Sequence, residues 1–506
     1  MITIGNHPLT IEEIIRVSKK MEKCKLGENA LNRIEESNQR LNQILKAGKP
    51  VYGINTGFGV FADKGIKKSE IQQLNRNLIL SHAVGTGDPL DAEIVRAAML
   101  VRANTLSKGF SGIRLEVIQK ILDAVNEVVT PHIPSQGSLG SSGDLCPLSH
   151  LALVLTTDEK DLEEESGMAD FKGIVYSGKT AMEKAGIERI ILGPKEGLAL
   201  NNGATFSAAM MAYAVFEANY LAIVADKAIS LTLECLQGSP DAFDKRIHDA
   251  RGLQGQIQSA KNISEQIAAS DFVGSTTRVQ DAYSLRCAPQ IHGGVRDTID
   301  FIKSIVEKEI NAATDNPLIF EPAVALSGGN FHGEPIALVA DYMAIALCEL
   351  GAISERRIYR MTDGKMNDGL PAMLVDSDEG EGLNSGVMIL QYTAASLVLE
   401  NQTLATPDSV HSLPTSGGQE DHNANAMTAA RHALQIIENL QHILSIELFV
   451  AARAIDLRMK KRKGKLGVGN QITYDKIRSL VPYIGKDSLW GAQVDKVKEL
   501  LKDHLL

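Results

Sequence analysis

From Ala204 to about Gln237 the chain reads ATFSAAMMAYAVFEANYLAIVADKAISLTLECLQ, with no proline and no internal glycine. Nothing there interrupts a helix, and the stretch predicts one about 45–50 Å long at 1.5 Å per residue. Its apolar residues are not confined to one stripe, so other elements must surround it. Three further stretches follow the same pattern. One begins at Pro335, where proline suits a first helical turn. One begins at Asn384, and one, again very long, runs from Asn425 to Arg462. Helices of this kind must bury one another. The expected fold is therefore mainly all-α, with a long central helical bundle. The length of the helices also points to packing beyond one chain.

The first 200 residues read differently. Their helices are shorter and their loops glycine-rich. FKGIVYSGKT and ERIILG are candidate short strands, and Asp158 to Gly167 is an acidic surface loop. The expected division is a smaller N-terminal region, 1–200, carrying the glycine-rich loops, and a long-helix domain, 201–506. Aromatic residues make up 5% of the chain with a single Trp, which argues against a β-sandwich. A net charge of −10 disfavours nonspecific nucleic-acid binding. The one basic run, Arg458 to Lys465, is expected to decorate a helix end. Glu217, Asp226 and Lys227 inside the longest apolar stretch argue against a membrane span. The five cysteines are odd in number, widely spaced and outside any CxxC pattern, which fits a reducing cytoplasm. The N-terminus lacks the apolar core of a signal peptide.

The segment GSLGSSGDLCPLSH, Gly137 to His150, is the densest in glycine and serine. It is not a phosphate loop, because no Lys follows the glycines. It is not a dinucleotide loop or a nucleophile elbow, because its register is wrong for both. A plain turn is one reading, with Asp144 and Ser149 helping a helix to start. The other reading uses the backbone itself. The Gly143 nitrogen can attack the Ser141 carbonyl carbon, since only glycine lets the chain fold that tightly. Loss of two waters, one from the Ser142 side chain, would leave a five-membered ring with an exocyclic methylidene. That group is an electrophile suited to expelling an amine.

The segment resembles the (Ala/Ser/Thr)-Ser-Gly-Asp-Leu-x-Pro-Leu loop of the aromatic amino-acid ammonia-lyases, whose cofactor is 4-methylidene-imidazole-5-one (MIO). YGINTGFG (52–59), SHAVGTGDPL (81–90), EGLALNNG (196–203), VQDAYSLRCAPQ (279–290), TDNPL (314–318), SGGNFHGEP (327–335) and LPTSGGQEDH (413–422) resemble further motifs of that family, in family order. The resemblance implies an ammonia-lyase/fumarase-like fold and a MIO formed from Ser141, Ser142 and Gly143, with no external cofactor and no metal. Glu420, Asp421 and His422 are contiguous and lack the i, i+4 spacing of a metal site.

Each site residue has a structural reading beside the implied one. Tyr52, in a loop with three glycines, is either a packed aromatic or, as the resemblance implies, the phenol that removes the β-proton. An unperturbed phenol has a pKa of about 10, so that role needs nearby positive charge. Gln280, Tyr283 and Arg286 stand at i, i+3 and i+6, and share a face if helical. They form either a polar surface stripe or a buried group, and the small and apolar neighbours favour burial. A buried Arg needs an anion, and a substrate carboxylate is the partner the resemblance implies. The resemblance also makes Tyr283 catalytic and Gln280 substrate-binding, and it makes Asn202 a support for both cofactor and substrate. Phe331 is either core packing or the bulk that presses the tripeptide towards closure, with Asp144 orienting it.

His82 and Glu420 match the pair that contacts an imidazole in histidine-type members. The resemblance therefore implies L-histidine as substrate and trans-urocanate and ammonia as products. A tyrosine ammonia-lyase or an amino-acid 2,3-aminomutase is the alternative. It further implies a homotetramer with active sites shared between chains. Five positions depart from the histidine-type pattern: Ser141 stands where alanine is usual, Asn201 where an apolar residue is commoner, and Ala282, Ala288 and His292 where Pro, Gln and Met are typical. The continuation after His422 departs as well.

Overall fold

The computed structural model describes residues 1–506. The four long apolar stretches are the helices Thr205–Cys235, Glu334–Thr362, Met388–Leu404 and Ala426–Lys461. The third starts four residues later than Asn384. Gly386 takes a positive φ of 61°, and the Asn384 side chain donates instead to the Glu379 carbonyl at 2.7 Å. Thr205–Cys235 and Glu334–Thr362 are long and apolar enough to cross a membrane, with mean hydropathies of 1.5 and 1.9. Their most apolar windows are 72% and 67% buried inside the protein, as core helices are.

The chain forms two compact units, and they are not the contiguous halves expected from a cut near residue 200. The first comprises Met1–Ala214, Lys303–Asp341 and Pro407–Arg431, and the second comprises Val215–Ile302, Tyr342–Thr406 and His432–Leu506. Four of the five boundaries fall inside a helix, so no shift in composition marks them.

In the first unit the helix Ala92–Leu106 is buried from Ile94 to Leu106. The hairpin Met168–Phe171/Ile174–Ser177 turns at Lys172 and Gly173, both with positive φ, and pairs antiparallel with Val129–Pro131. Ile190–Ile191 pairs in parallel with Thr156–Thr157. Both candidate strand segments are thus strands, but short ones.

In the second unit Arg458 does sit at a helix end, though not only its own. It is buried and donates through Nε and Nη2 to the Cys235 carbonyl at 3.1 and 2.6 Å, where Thr205–Cys235 ends with unsatisfied carbonyls. Lys460 and Lys461 occupy the last turn of their own helix. His292 is fully buried, with Nδ1 2.8 Å from Asp226 Oδ1. Asp226 also accepts from Arg296 (2.6 Å), Ser259 (2.5 Å) and Asn262 (2.8 Å). The departure at 292 is thus absorbed in this core, where burial holds the His292 pKa below its usual value. All five cysteines are free thiols.

Candidate active site

The 137–144 segment follows the backbone conformations of its glycines: Gly137, Gly140 and Gly143 take φ values of 134°, 64° and 81°. At Gly143 a close approach adds to this, because a Cβ there would lie 2.1 Å from the Gly203 nitrogen. Gly143 pairs with Gly203, and the Asp144 N–H donates to the Gly203 carbonyl at 2.9 Å. The chain then enters the helix Leu145–Leu155.

Asp144 is fully buried. Its carboxylate accepts from Ser138 Oγ at 2.8 Å, Ser207 Oγ at 2.9 Å and the Ser207 N–H at 2.8 Å. One side chain thus ties the start of the glycine-rich loop to the open first turn of Thr205–Cys235. Burial pushes its pKa above the usual carboxylate range, while these hydrogen bonds pull the other way. Asn202 Nδ2 donates to the Ser142 carbonyl at 2.6 Å, and its buried Oδ1 has no hydrogen-bond partner. Asn201, next to it, is also buried and donates to Ser149 Oγ at 3.2 Å. A cradle that admits no Cβ, and an amide that donates to the Ser142 carbonyl, an oxygen that closure retains, fit a ring closed from Ser141, Ser142 and Gly143.

A cavity of about 1210 Å³ opens over Ser141 and Ser142 and is lined by Tyr52, His82, Asn202, Phe331 and Glu420 among others. All the lining residues belong to the first unit. Tyr52 precedes a sharp turn at Gly53, with φ of 67°. Its hydroxyl accepts the Gly59 N–H at 3.4 Å, and Phe58 meets the ring edge-on at 6.5 Å. His82 ends the helix Ile71–His82, with Nδ1 2.9 Å from Ser81 Oγ, which leaves Nε2 for the cavity. Burial lowers its pKa below the usual imidazole range, against the opposing pull of the Leu78 backbone and the Glu420 charge. Glu420 accepts from Ser142 Oγ at 2.6 Å through Oε1 and from Thr415 Oγ1 at 3.2 Å through Oε2.

The fold therefore gathers the tripeptide, Asp144, Asn202, Tyr52, His82, Phe331 and Glu420. It does not bring Gln280, Tyr283 and Arg286 to this cavity. They lie in the second unit, where the helix spans only Tyr283–Arg286, so Gln280 precedes it and the shared face is not formed. The expected burial is absent in the single chain: Gln280 is exposed, Tyr283 is 70% exposed, and Arg286 is half-buried. The Arg286 guanidinium rests over the Tyr283 ring at 4.6 Å and donates to the Asp281 carbonyl at 2.9 Å.

Among the lining residues to which the sequence reading gives no role in the site are His332 and His422. Their rings stack 6.0 Å apart, and His332 Nε2 lies 3.2 Å from the His422 carbonyl. His332 Nδ1 accepts the Glu334 N–H at 3.3 Å, where Glu334–Thr362 begins. The signal available was a polar side chain just before a helix with Pro335 in its first turn.

The chain belongs to the aromatic amino acid lyase family, whose profile matches residues 9–479, and it is a carbon–nitrogen lyase. It is 46% identical to the histidine ammonia-lyase of Caldanaerobacter subterraneus subsp. tengcongensis, over 96% of this chain and 93% of that one. Its structure resembles the crystal structure of histidine ammonia-lyase from Trypanosoma cruzi, with 37% identity, a TM-score of 0.89, and coverage of 99% of this chain and 93% of that one. It resembles tyrosine aminomutase from Streptomyces globisporus equally closely, with 32% identity, a TM-score of 0.92, and coverage of 99% and 97%.

Proposed function

We propose that this chain is a histidine ammonia-lyase, converting L-histidine to trans-urocanate and ammonia. The observation that carries the reading is the meeting of His82 and Glu420 in one cavity over Ser142. An imidazole has one N–H donor and one acceptor nitrogen. A carboxylate and a neutral imidazole offer it the complementary set. A phenol or phenyl side chain would leave at least one of these polar groups unpaired, at a cost in affinity.

The MIO proposed at Ser141–Gly143 supplies, once formed, an electrophilic carbon for the substrate. The other steps fall to ordinary side chains. Asn202 holds the carbonyl of Ser142, and Asp144 fixes the loop against Thr205–Cys235. His82 and Glu420 orient the imidazole, and Tyr52 takes the β-proton. Phe331, which lines the same cavity as Ser141 and Ser142, restricts the space over the tripeptide. Arg286 binds the substrate carboxylate in two-pronged fashion, with Gln280 beside it and Tyr283 as a further catalytic hydroxyl. The exposure of Gln280 and Tyr283 in one chain, with Arg286 only half-buried, supports their delivery by neighbouring copies in a homotetramer with shared sites. Free thiols throughout are in keeping with a cytoplasmic enzyme.

Incubation with L-histidine, L-tyrosine and L-phenylalanine, with products separated by chromatography, tests the reading. Urocanate from L-histidine is expected. A cinnamate-type acid from an aryl amino acid would replace it with the tyrosine ammonia-lyase reading, and a β-amino acid with that of an aminomutase.

A further inference from the structure

We infer that the Ser141 hydroxyl is a positioning group that pins the Glu420-bearing segment to the ring-forming tripeptide. The inference rests on the roles proposed above for Ser142 and Glu420. Ser141 stands where alanine is usual, and the structure gives its extra oxygen two partners. Oγ accepts the Ala424 N–H at 2.9 Å and donates to the Leu139 carbonyl at 3.3 Å. Ser141 is 4% exposed and Ala424 fully buried, so water does not readily take the place of either partner. Ring closure uses the Ser141 carbonyl carbon and leaves its side chain untouched.

The two segments are also in close contact. A Cβ on Gly140 would lie 2.6 Å from Ala426 Cβ. The 413–425 segment is held at further points: Thr415 pairs with Glu420, His332 meets the His422 carbonyl, Ser412 Oγ accepts the Asn423 N–H at 2.9 Å, and Asn425 Nδ2 donates to the Asp408 and His411 carbonyls at 3.0 and 2.6 Å. Of the bonds to this segment, Ala424 to Ser141 is the one that joins its backbone directly to the tripeptide. Alanine at 141 would strand the Ala424 N–H. The segment would then loosen just beyond Glu420, at the end that faces the imidazole.

The test compares full-length wild type, Ser141→Ala and Ser141→Thr. Threonine keeps the hydroxyl and serves as the rescue variant. Intact mass is read first, and all three are expected two waters below the sequence mass. Hydrogen exchange of peptides covering 413–425 is read next, and only Ser141→Ala is expected to exchange faster there. For L-histidine, KM in Ser141→Ala is expected to rise about tenfold, the worth of one buried hydrogen bond, with kcat little changed. Unchanged exchange and unchanged KM in Ser141→Ala would overturn the inference. So would a Ser141→Thr variant that behaves like Ser141→Ala. A wild type that is not two waters light would overturn the ring-forming reading instead, and exchange at 413–425 would still decide the pin.

Discussion

Gly143→Ala is the substitution that the backbone of the site should tolerate least. Two costs can be separated. Gly143 has φ of 81°, and an L-residue held near the left-handed region costs about 1–2 kcal/mol. The new Cβ would also fall 2.1 Å from the Gly203 nitrogen, a backbone atom that no rotamer change can move. Relief requires the two chain segments to part, which orphans the Asp144 N–H now bound to the Gly203 carbonyl. A buried orphaned donor costs about 1–3 kcal/mol. The sum is roughly 2–5 kcal/mol, enough to unseat the tripeptide. Gly173→Ala is the control, since its φ of 79° is nearly the same and a Cβ there would have nothing within 4 Å. Chemical denaturation and intact mass are read on both variants. Gly143→Ala is expected to lose several kcal/mol and to keep its full sequence mass. Gly173→Ala should lose about 1–2 kcal/mol and still shed two waters. A Gly143→Ala protein as stable as the control and two waters light would refute the steric reasoning.

His82→Leu or Glu420→Ala should each lower kcat/KM for L-histidine by about tenfold to a hundredfold, the worth of one hydrogen bond to a buried or charged partner; steady-state kinetics with intact-mass control measures this. Glu309 gives a pH signature: burial, reinforced by the nearby Asp144 charge, pushes its carboxyl up from 4.5 to about 7. A raised carboxyl contributes its full stability below about 4.5, and that contribution is lost as pH rises towards 7. Glu309→Gln should therefore gain on wild type above pH 7, by about 1–3 kcal/mol, in denaturation midpoints compared at pH 5 and pH 8. In the second unit, Arg357 donates to Glu447 at 2.5 and 2.8 Å with both side chains fully buried. Glu447→Ala leaves that guanidinium uncompensated and should cost about 3–5 kcal/mol in denaturant unfolding.

The sequence patterns located elements well and their surroundings less well. Freedom from Pro and Gly placed Thr205–Cys235 and Ala426–Lys461 within a residue or two. It misplaced the start of Met388–Leu404, because Gly386 and the Asn384 side chain hold a turn there. The motifs named most of the cavity, since each glycine-rich stretch delivers two or more side chains to it. The shared face of Gln280, Tyr283 and Arg286 is not formed, because a three-residue spacing implies a face only where a helix exists, and this one starts at Tyr283. His332 escaped notice because its partners are backbone groups, the His422 carbonyl and the Glu334 N–H. Backbone contacts between distant segments leave little trace in residue type. The serine at 141 did leave one, an oxygen with no need to be there unless something uses it.

The most direct test is to mix the purified protein with L-histidine, follow the near-ultraviolet spectrum, and run Ser142→Ala alongside. Growth of the urocanate band in wild type alone is expected, because that variant cannot form the methylidene. No band from a wild type two waters light, or an equal band from Ser142→Ala, would contradict the assignment.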